Sequence, residues 1–196
     1  MFGLGEFLVL AVYLAVVWIL AKRVRSVWKR VTLFGLAAIA PIADSVVGHV
    51  GFVERCQRPI GVVVHRTITN AEGYLATNGG YISEFVAKKK FKFIESARDG
   101  FKRLELDQHG KLFDHSVSLF ISKYEVVSLG RENVFLNTDK LRTVVRNRST
   151  GEIYSEYVEL EYLGGWAERI IHPTGPVAKC PEDQSIATLV MKSFSN

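Results

Sequence analysis

The residue patterns that mark catalytic centres are missing from this 196-residue sequence. It contains no G-x-S-x-G nucleophile elbow and no cysteine next to a histidine, so nucleophilic catalysis has no motif to rest on. The two glycines before Trp166 lack the G-x-G-x-x-G spacing of a phosphate-binding turn. The sequence also has no internal repeat and no low-complexity linker. We therefore expect no cofactor, and enzymatic activity stays uncertain and less expected than binding.

Cysteine occurs only twice, as Cys56 and Cys180. Two cysteines without nearby histidines do not have the spacing of a zinc site, so no metal is expected. In an oxidising compartment, an isolated pair indicates one disulfide, which ties the C-terminal end of the chain back to residue 56. A pair of buried free thiols is the alternative.

Residues 54–196 have little net charge of either sign. The first 53 residues carry five Lys or Arg against two acidic residues, a balance of +3, and the remainder carries 20 against 18, a balance of +2. A nucleic-acid-binding domain needs a basic stripe on its folded surface to neutralise phosphates. No nucleic-acid partner is therefore expected.

Two long apolar segments with few charges open the chain. Residues 4–21 show no polar face at period 3.6, which predicts a helix buried on all sides, with lipid as the partner. Residues 31–53 form a weaker second span, because Pro41 disturbs a helix and Asp44 is costly inside a bilayer. The pattern predicts an N-terminal transmembrane helical hairpin, an anchor over residues 1–53.

A basic turn over residues 22–30 separates the two apolar segments. Its cations are Lys22, Arg23, Arg25, Lys29 and Arg30. Short basic loops stay cytoplasmic, so residues 54–196 are expected on the outer side, in the periplasm if the membrane is a bacterial inner membrane. The residues before Phe7 carry no Lys or Arg, which argues against a cleaved signal peptide. The alternative is that residues 31–53 lie in the membrane interface or pack on the domain, which leaves that domain cytoplasmic.

Asp44 and His49 are polar residues within the second apolar segment. An ionisable residue inside a membrane helix is a functional candidate, such as part of an ion or proton pathway, which two helices can enclose only in an oligomer. The alternative is the polar end of a helix that leaves the bilayer.

Period-2 patterns dominate residues 54–196 and predict a β-rich (α+β) domain built on antiparallel hairpins with a C-terminal helix. One hairpin turns at Arg98-Asp99-Gly100, and a second runs over residues 141–162. Arginines on the first strand of this second hairpin are predicted to pair with glutamates on its return strand. The arginines are Arg142 and Arg146, and the glutamates are Glu152, Glu156, Glu159 and Glu161. Asp183 is predicted to cap the C-terminal helix.

The densest cluster of histidines and carboxylates lies between Asp107 and His115. Its weak catalytic candidates are His109, Asp114 and His115, whose side chains suit acid–base work or metal binding if they converge. The alternative is a set of polar residues around an exposed turn at Gly110.

These features together predict a small integral membrane protein that presents an extracytoplasmic β-rich domain as a binding or assembly module of the cell envelope. The expected partners are the lipid bilayer and a protein of the envelope, and oligomerisation is left open. The first alternative is a membrane-tethered hydrolase or metal-binding enzyme that uses the Asp107 to His115 region. The second is an oligomeric ion or proton pathway through Asp44 and His49.

Overall fold

In a computed structural model, the structure describes residues 4–58, 60–77, 82–88, 90–97, 100–171 and 175–195. The chain divides into two compact units. Unit 1 consists of residues 1–58, 133–139 and 160–179, and unit 2 consists of residues 59–132, 140–159 and 180–196. Unit 1 therefore combines the N-terminal residues with two later segments of the chain.

Two long helices form the N-terminal part of unit 1. Helix α1 spans Leu4–Arg23 and helix α2 spans Val27–Cys56, so only the three residues Val24–Ser26 connect them. The expected basic turn is thus mostly helical, because Lys and Arg are good helix formers. Arg30 joins the two helices, since its Nε donates to the Ala21 carbonyl at 3.1 Å and its Nη2 donates to the Val24 carbonyl at 3.0 Å.

The predicted transmembrane hairpin is wrong. Within the described residues, no helix is both long and apolar enough to cross a membrane. The uncharged runs are short, with fifteen residues from Phe7 to Ala21 and thirteen from Val31 to Ala43, whereas a span needs about 20. Four further predictions depended on those spans and are wrong for the same reason. They are the integral membrane protein of the cell envelope, its periplasmic domain, the membrane-tethered hydrolase and the ion pathway.

The other elements follow α2 in the sequence. They are β1 (Gly61–Val64), β2 (Ile68–Thr69), β3 (Gly73–Ala76), α3 (Ser83–Ala87), β4 (Phe93–Ser96), β5 (Lys102–Leu106), β6 (Leu112–Ser116), β7 (Tyr124–Phe135), β8 (Thr138–Asn147), β9 (Ile153–Tyr162), α4 (Trp166–Ile171), β10 (Ala178–Cys180), α5 (Ile186–Ser193) and β11 (Phe194–Ser195).

One large sheet contains most of the strands. Its order is β1-β9-β8-β7-β3-β4-β5-β6, with β10 paired to β9, and β2 pairs separately with β11. Strand β3 runs parallel to both β4 and β7, whereas β4, β5 and β6 are antiparallel neighbours. The fold is therefore mixed α+β with a large sheet, and antiparallel hairpins account for only part of it.

Both predicted hairpins correspond to paired strands. In the first, β4 pairs with β5, and its turn residues 98 and 99 lie outside the described residues. In the second, Arg142 reaches Glu156 on the return strand at 2.7 Å, as predicted. Arg146 instead pairs with Glu125 on β7 at 2.6 Å, because β8 has a neighbour on each side.

Aromatic side chains pack at the centre of unit 2. The ring of Phe194 stacks on that of Tyr74 at 5.8 Å and meets that of Phe91 edge-on at 5.1 Å. Helix α5 contributes the buried Leu189 and Val190 to the same core. Its N-cap is Ser185, which accepts a hydrogen bond from the Thr188 N–H, so the prediction of Asp183 as the cap is wrong.

The carboxylate of Glu95 is fully buried in unit 2, yet it accepts hydrogen bonds on both oxygens. Oε1 accepts from Arg103 Nη2 at 2.8 Å and from the Ile121 N–H at 3.0 Å, and Oε2 accepts from the Ser122 N–H at 2.9 Å and from its hydroxyl. Burial raises the pKa of Glu95, but the bonds from Ser122, Ile121 and Arg103 together lower it below its usual value. The group is therefore a buried carboxylate that stays ionised.

Candidate functional site

Within the part of each N-terminal helix whose side chains the structure describes, only a narrow seam is buried. In α1, Val17 and Ala21 are buried four residues apart on one face. In α2, Ser45, Gly48 and Phe52 are buried at spacings of three and four. A helix in the middle of a globular core would bury a wider apolar stripe. Among the side chains of α1 and α2 that the structure describes, most apolar ones are therefore left uncovered.

More than half of the large apolar side chains that the structure shows as exposed lie on these two helices. We call this set the helical apolar surface. It consists of Val12, Leu14, Val16, Trp18, Ile19, Leu20, Val27, Trp28, Val31, Phe34, Leu36, Ile39, Val46, Val47, Val50 and Val53. Trp28 is 83 % exposed. Contiguous exposed apolar surface of this extent marks a place where another molecule binds.

The five predicted basic residues cluster where the two helices meet. Lys22 and Arg23 lie in the last turn of α1, where cations are favourable beside the carbonyl end of a helix. Lys29 and Arg30 lie in the first turn of α2, where cations are unfavourable and where no acidic residue is present. The N-cap Ser26 makes no side-chain cap bond. The start of α2 is therefore strongly positive.

Tyr13 connects the middle of the two helices. Its hydroxyl donates to the carbonyl of Ala37 on α2. In a regular helix this carbonyl would accept from the N–H of residue 41, but Pro41 has no N–H to donate. The tyrosine supplies the missing donor, which explains how α2 continues through a proline.

Asp44 belongs to a polar cluster inside unit 1. Its Oδ2 accepts a hydrogen bond from the Trp166 N–H at the start of α4 at 2.8 Å. The Tyr162 hydroxyl donates to the Ser45 carbonyl and to Glu168 Oε2, both at 2.9 Å. Glycine is required at position 165, because a Cβ there would collide with Ser45. The cluster thus fastens α2 to the end of β9 and to α4.

The charges of this cluster shift two pKa values in opposite directions. Burial, the bond to Glu168 and the negative charges of Glu168 and Asp44 raise the pKa of Tyr162 well above its usual value. Burial raises the pKa of Glu168, but the Gly165 N–H, the Tyr162 hydroxyl and the charge of His49 together lower it. Tyr162 is therefore the proton donor and Glu168 the ionised acceptor.

His49 lies beside this cluster but is exposed. Its ring meets that of Tyr162 edge-on at 5.6 Å and lies 6.4 Å from that of Phe52. The structure therefore brings Asp44 and His49 together around Tyr162. Among the described residues, Asp44 Oδ1 and Ser45 Oγ are buried without a hydrogen bond of regular geometry, although the Ser45 hydroxyl still helps to lower the pKa of Glu168.

Asp107, Asp114 and His115 each contact a different group. Asp107 Oδ1 accepts from the backbone N–H groups of His109 and Lys111, each at 2.8 Å, which shapes the turn between β5 and β6. Asp114 lies 3.6 Å from Lys102, and His115 lies 3.7 Å from Glu105. Within the described ranges, no group of three or more His, Cys, Asp or Glu side chains is placed to hold a metal ion.

The predicted disulfide between Cys56 and Cys180 is confirmed. Neither cysteine is free, and these are the only two in the chain. Disulfides persist in oxidising environments and are rare where thiols are kept reduced.

Sequence reasoning missed Tyr162 and Glu168. Tyr162 and Ser45 are 117 residues apart in the chain, and Trp166 and Asp44 are 122 residues apart, so no local pattern could reveal the cluster. The one available signal was the glycine pair before Trp166, which does mark a close backbone approach.

No protein-family model matches the chain, and neither the curated proteins nor the solved structures contain a match to it.

Proposed function

We propose that the α1–α2 pair binds an anionic lipid surface by lying on it, and that the protein is a lipid-surface-binding module. The observation that carries the proposal is the helical apolar surface, flanked by five cations where the two helices meet. No helix has to cross the bilayer in this arrangement.

The lengths of the apolar runs support surface binding. Uncharged runs of fifteen and thirteen residues are shorter than the roughly 20 residues that a span needs, and an apolar run of about 10 to 14 residues can form an interfacial segment. Trp18 and Trp28 lie close to the basic residues in the sequence, and tryptophan prefers the depth of the lipid headgroups. Lys22 Nζ lies 3.5 Å above the Trp18 ring, which places a cation beside an apolar anchor.

Charge supports an anionic partner in particular. Each Lys or Arg near an anionic bilayer contributes about 1 kcal/mol to binding. The positive start of α2, with uncapped N–H groups, also favours a phosphate. A protein partner with a purely apolar surface would leave this charge uncompensated.

Flotation of the full chain with phosphatidylcholine vesicles, with and without phosphatidylglycerol, tests the proposal. We expect binding that requires the anionic lipid, weakens at high salt and is released by alkaline carbonate. Leu36→Ser should weaken binding by roughly tenfold or more, since a leucine buried in lipid contributes about 1.5 to 3 kcal/mol. Leu119→Ser is the matched control, because Leu36 is 63 % exposed on α2 and Leu119 is 70 % exposed outside the helices.

Two results would refute the proposal. One is an absence of flotation with anionic vesicles, and the other is equal loss of binding in both leucine variants. A stable dimer without affinity for vesicles, measured by light scattering, would show that a second copy covers the helical apolar surface instead.

A further inference from the structure

A basic cleft on unit 2 is independent of the helices and of the function proposed for them. It is lined by Leu129, Gly130, Arg131 and Glu132 of β7 and by Lys140 and Arg142 of β8, and it encloses about 200 Å³. Its lining carries three cations and one carboxylate. We propose that this cleft binds a phosphate-type oxyanion.

The backbone of β7 is distorted at the cleft. Gly130 has φ +103°, a conformation that glycine adopts without the strain that other residues suffer there. The five residues 129–133 are all exposed, whereas a regular strand would alternate between its two faces. Such breaks resemble β-bulges, which redirect side chains and are frequent beside functional sites. The distortion opens the strand where the cations lie.

Arg142 is held in place by Glu156 on β9. Its Nε and Nη2 both reach the same oxygen, Glu156 Oε2, at 2.7 Å. A guanidinium has five N–H donors, and this contact uses the edge formed by two of its nitrogens. The remaining donors stay available to an oxyanion, and the arginine does not have to be ordered when the ligand binds.

Lys140 provides a second positive charge at the cleft. It lines the cleft and makes no ion pair with another described residue. A lysine supplies a point charge with three donors, while an arginine supplies a planar fork, and the two together suit the several oxygens of a phosphate. Glu132 repels phosphate and acetate alike, but phosphate offers more acceptor oxygens to the cations of the cleft than acetate does. We therefore expect inorganic phosphate and simple phosphate monoesters to bind better than acetate.

The test is titration of the full, oxidised chain with inorganic phosphate. Binding is measured by calorimetry and by the shifts of the backbone amide NMR signals. We expect saturable binding with a dissociation constant on the order of 1 mM, with shifts centred on residues 129–132 and 140–142. Lys140→Met should weaken binding about fivefold. Lys111→Met, which removes an exposed lysine in the β5–β6 turn, should leave binding unchanged.

Separate arms identify the source of the phosphate. If glycerol 3-phosphate binds more tightly than inorganic phosphate, the site takes a lipid headgroup, and if the order is reversed, it takes the free anion. The inference is overturned if phosphate causes no saturable shift in residues 129–142, or if both lysine variants lose affinity equally. Titration with inorganic phosphate reports on this cleft, and the comparison of Leu36→Ser with Leu119→Ser in vesicle flotation reports on the helices, so failure of either proposal can be recognised separately.

Discussion

The buried carboxylate of Glu95 provides a sharp test of what holds unit 2 together. In Glu95→Gln, one oxygen becomes an NH₂ group that cannot accept a hydrogen bond. If the remaining oxygen faces Arg103, the new NH₂ group faces the N–H and hydroxyl of Ser122. The guanidinium of Arg103, whose side chain is only 17 % exposed, loses its counter-charge at the same time. Both effects destabilise the folded state.

The expected cost is about 3 kcal/mol, since removing one partner of a buried ion pair leaves an uncompensated charge. Urea unfolding followed by circular dichroism, with the disulfide intact, measures this as a lower midpoint at unchanged slope. Glu72→Gln is the matched control. Glu72 also pairs with a cation, Lys92, but its side chain is 64 % exposed, so its loss should cost less than about 1 kcal/mol.

The pH dependence of stability provides a second measurement on the same group. The pKa of Glu95 is lower in the folded chain than the 4.5 of a free glutamate. The contribution of Glu95 to the free energy of unfolding is therefore fully present above the pKa of the unfolded state. It begins to fall below about pH 5 and is lost as the pH passes through the pKa of the folded state. Glu95→Gln should flatten this part of the stability curve. The reasoning is refuted if Glu95→Gln costs no more than Glu72→Gln, or if the acid limbs of the variant and the parent coincide.

Three further predictions concern other contacts. Reduction of the Cys56–Cys180 disulfide should lower stability by roughly 5 kcal/mol on the chain-entropy account. Thiol counting should give none before reduction and two after it, and an unchanged unfolding midpoint would contradict this magnitude. Tyr162 should stay protonated at a pH where exposed tyrosines ionise. The absorbance titration curves of the parent and of Tyr162→Phe should therefore differ only at the most alkaline end, and a difference near pH 10 would contradict the raised pKa. Tyr13→Phe should lower the free energy of unfolding by about 1 kcal/mol, because the Ala37 carbonyl loses its donor. The loss should be smaller in a Pro41→Ala background, where residue 41 has a backbone N–H again. Equal losses in both backgrounds would show that the proline is not the reason for the contact.

A hydrophobic pattern predicts that a helix forms but not what surrounds that helix. The absence of a polar face over residues 4–21 correctly predicted a helix, because a continuous apolar run of that length has few other folded forms. It did not show what covers the helix. A helix that buries only Val17 and Ala21 against its neighbour and a helix that is surrounded by lipid have the same sequence pattern. The sequence pattern was interpreted as the second arrangement.

Charges were predictable only where they lie on neighbouring strands. Arg142 and Glu156 meet because consecutive strands of a hairpin have a register that the turn determines. Arg146 pairs with Glu125, and that choice depends on which strand lies on the other side of β8. Glu95 looked like any strand glutamate, since its burial follows from loop residues that contact it from positions 121 and 122.

Two features of the helix pair are unfavourable for the isolated chain, and a single kind of partner relieves both. Exposed apolar side chains are unfavourable in water. Side chains such as that of Trp28 gain free energy when they leave the water for an apolar environment. Lys29 lies in the first turn of α2, where the helix dipole opposes a cation, and no acidic residue offsets it there. Arg30, by contrast, is already used to bind the carbonyls at the end of α1. A purely apolar partner would cover the exposed apolar side chains but would also desolvate the charge of Lys29. An anionic lipid surface offers hydrocarbon and phosphate at adjacent depths. Lys29→Glu should therefore weaken vesicle binding more than Leu36→Ser does at low salt, and the order should reverse at high salt, because only the charge contribution is screened.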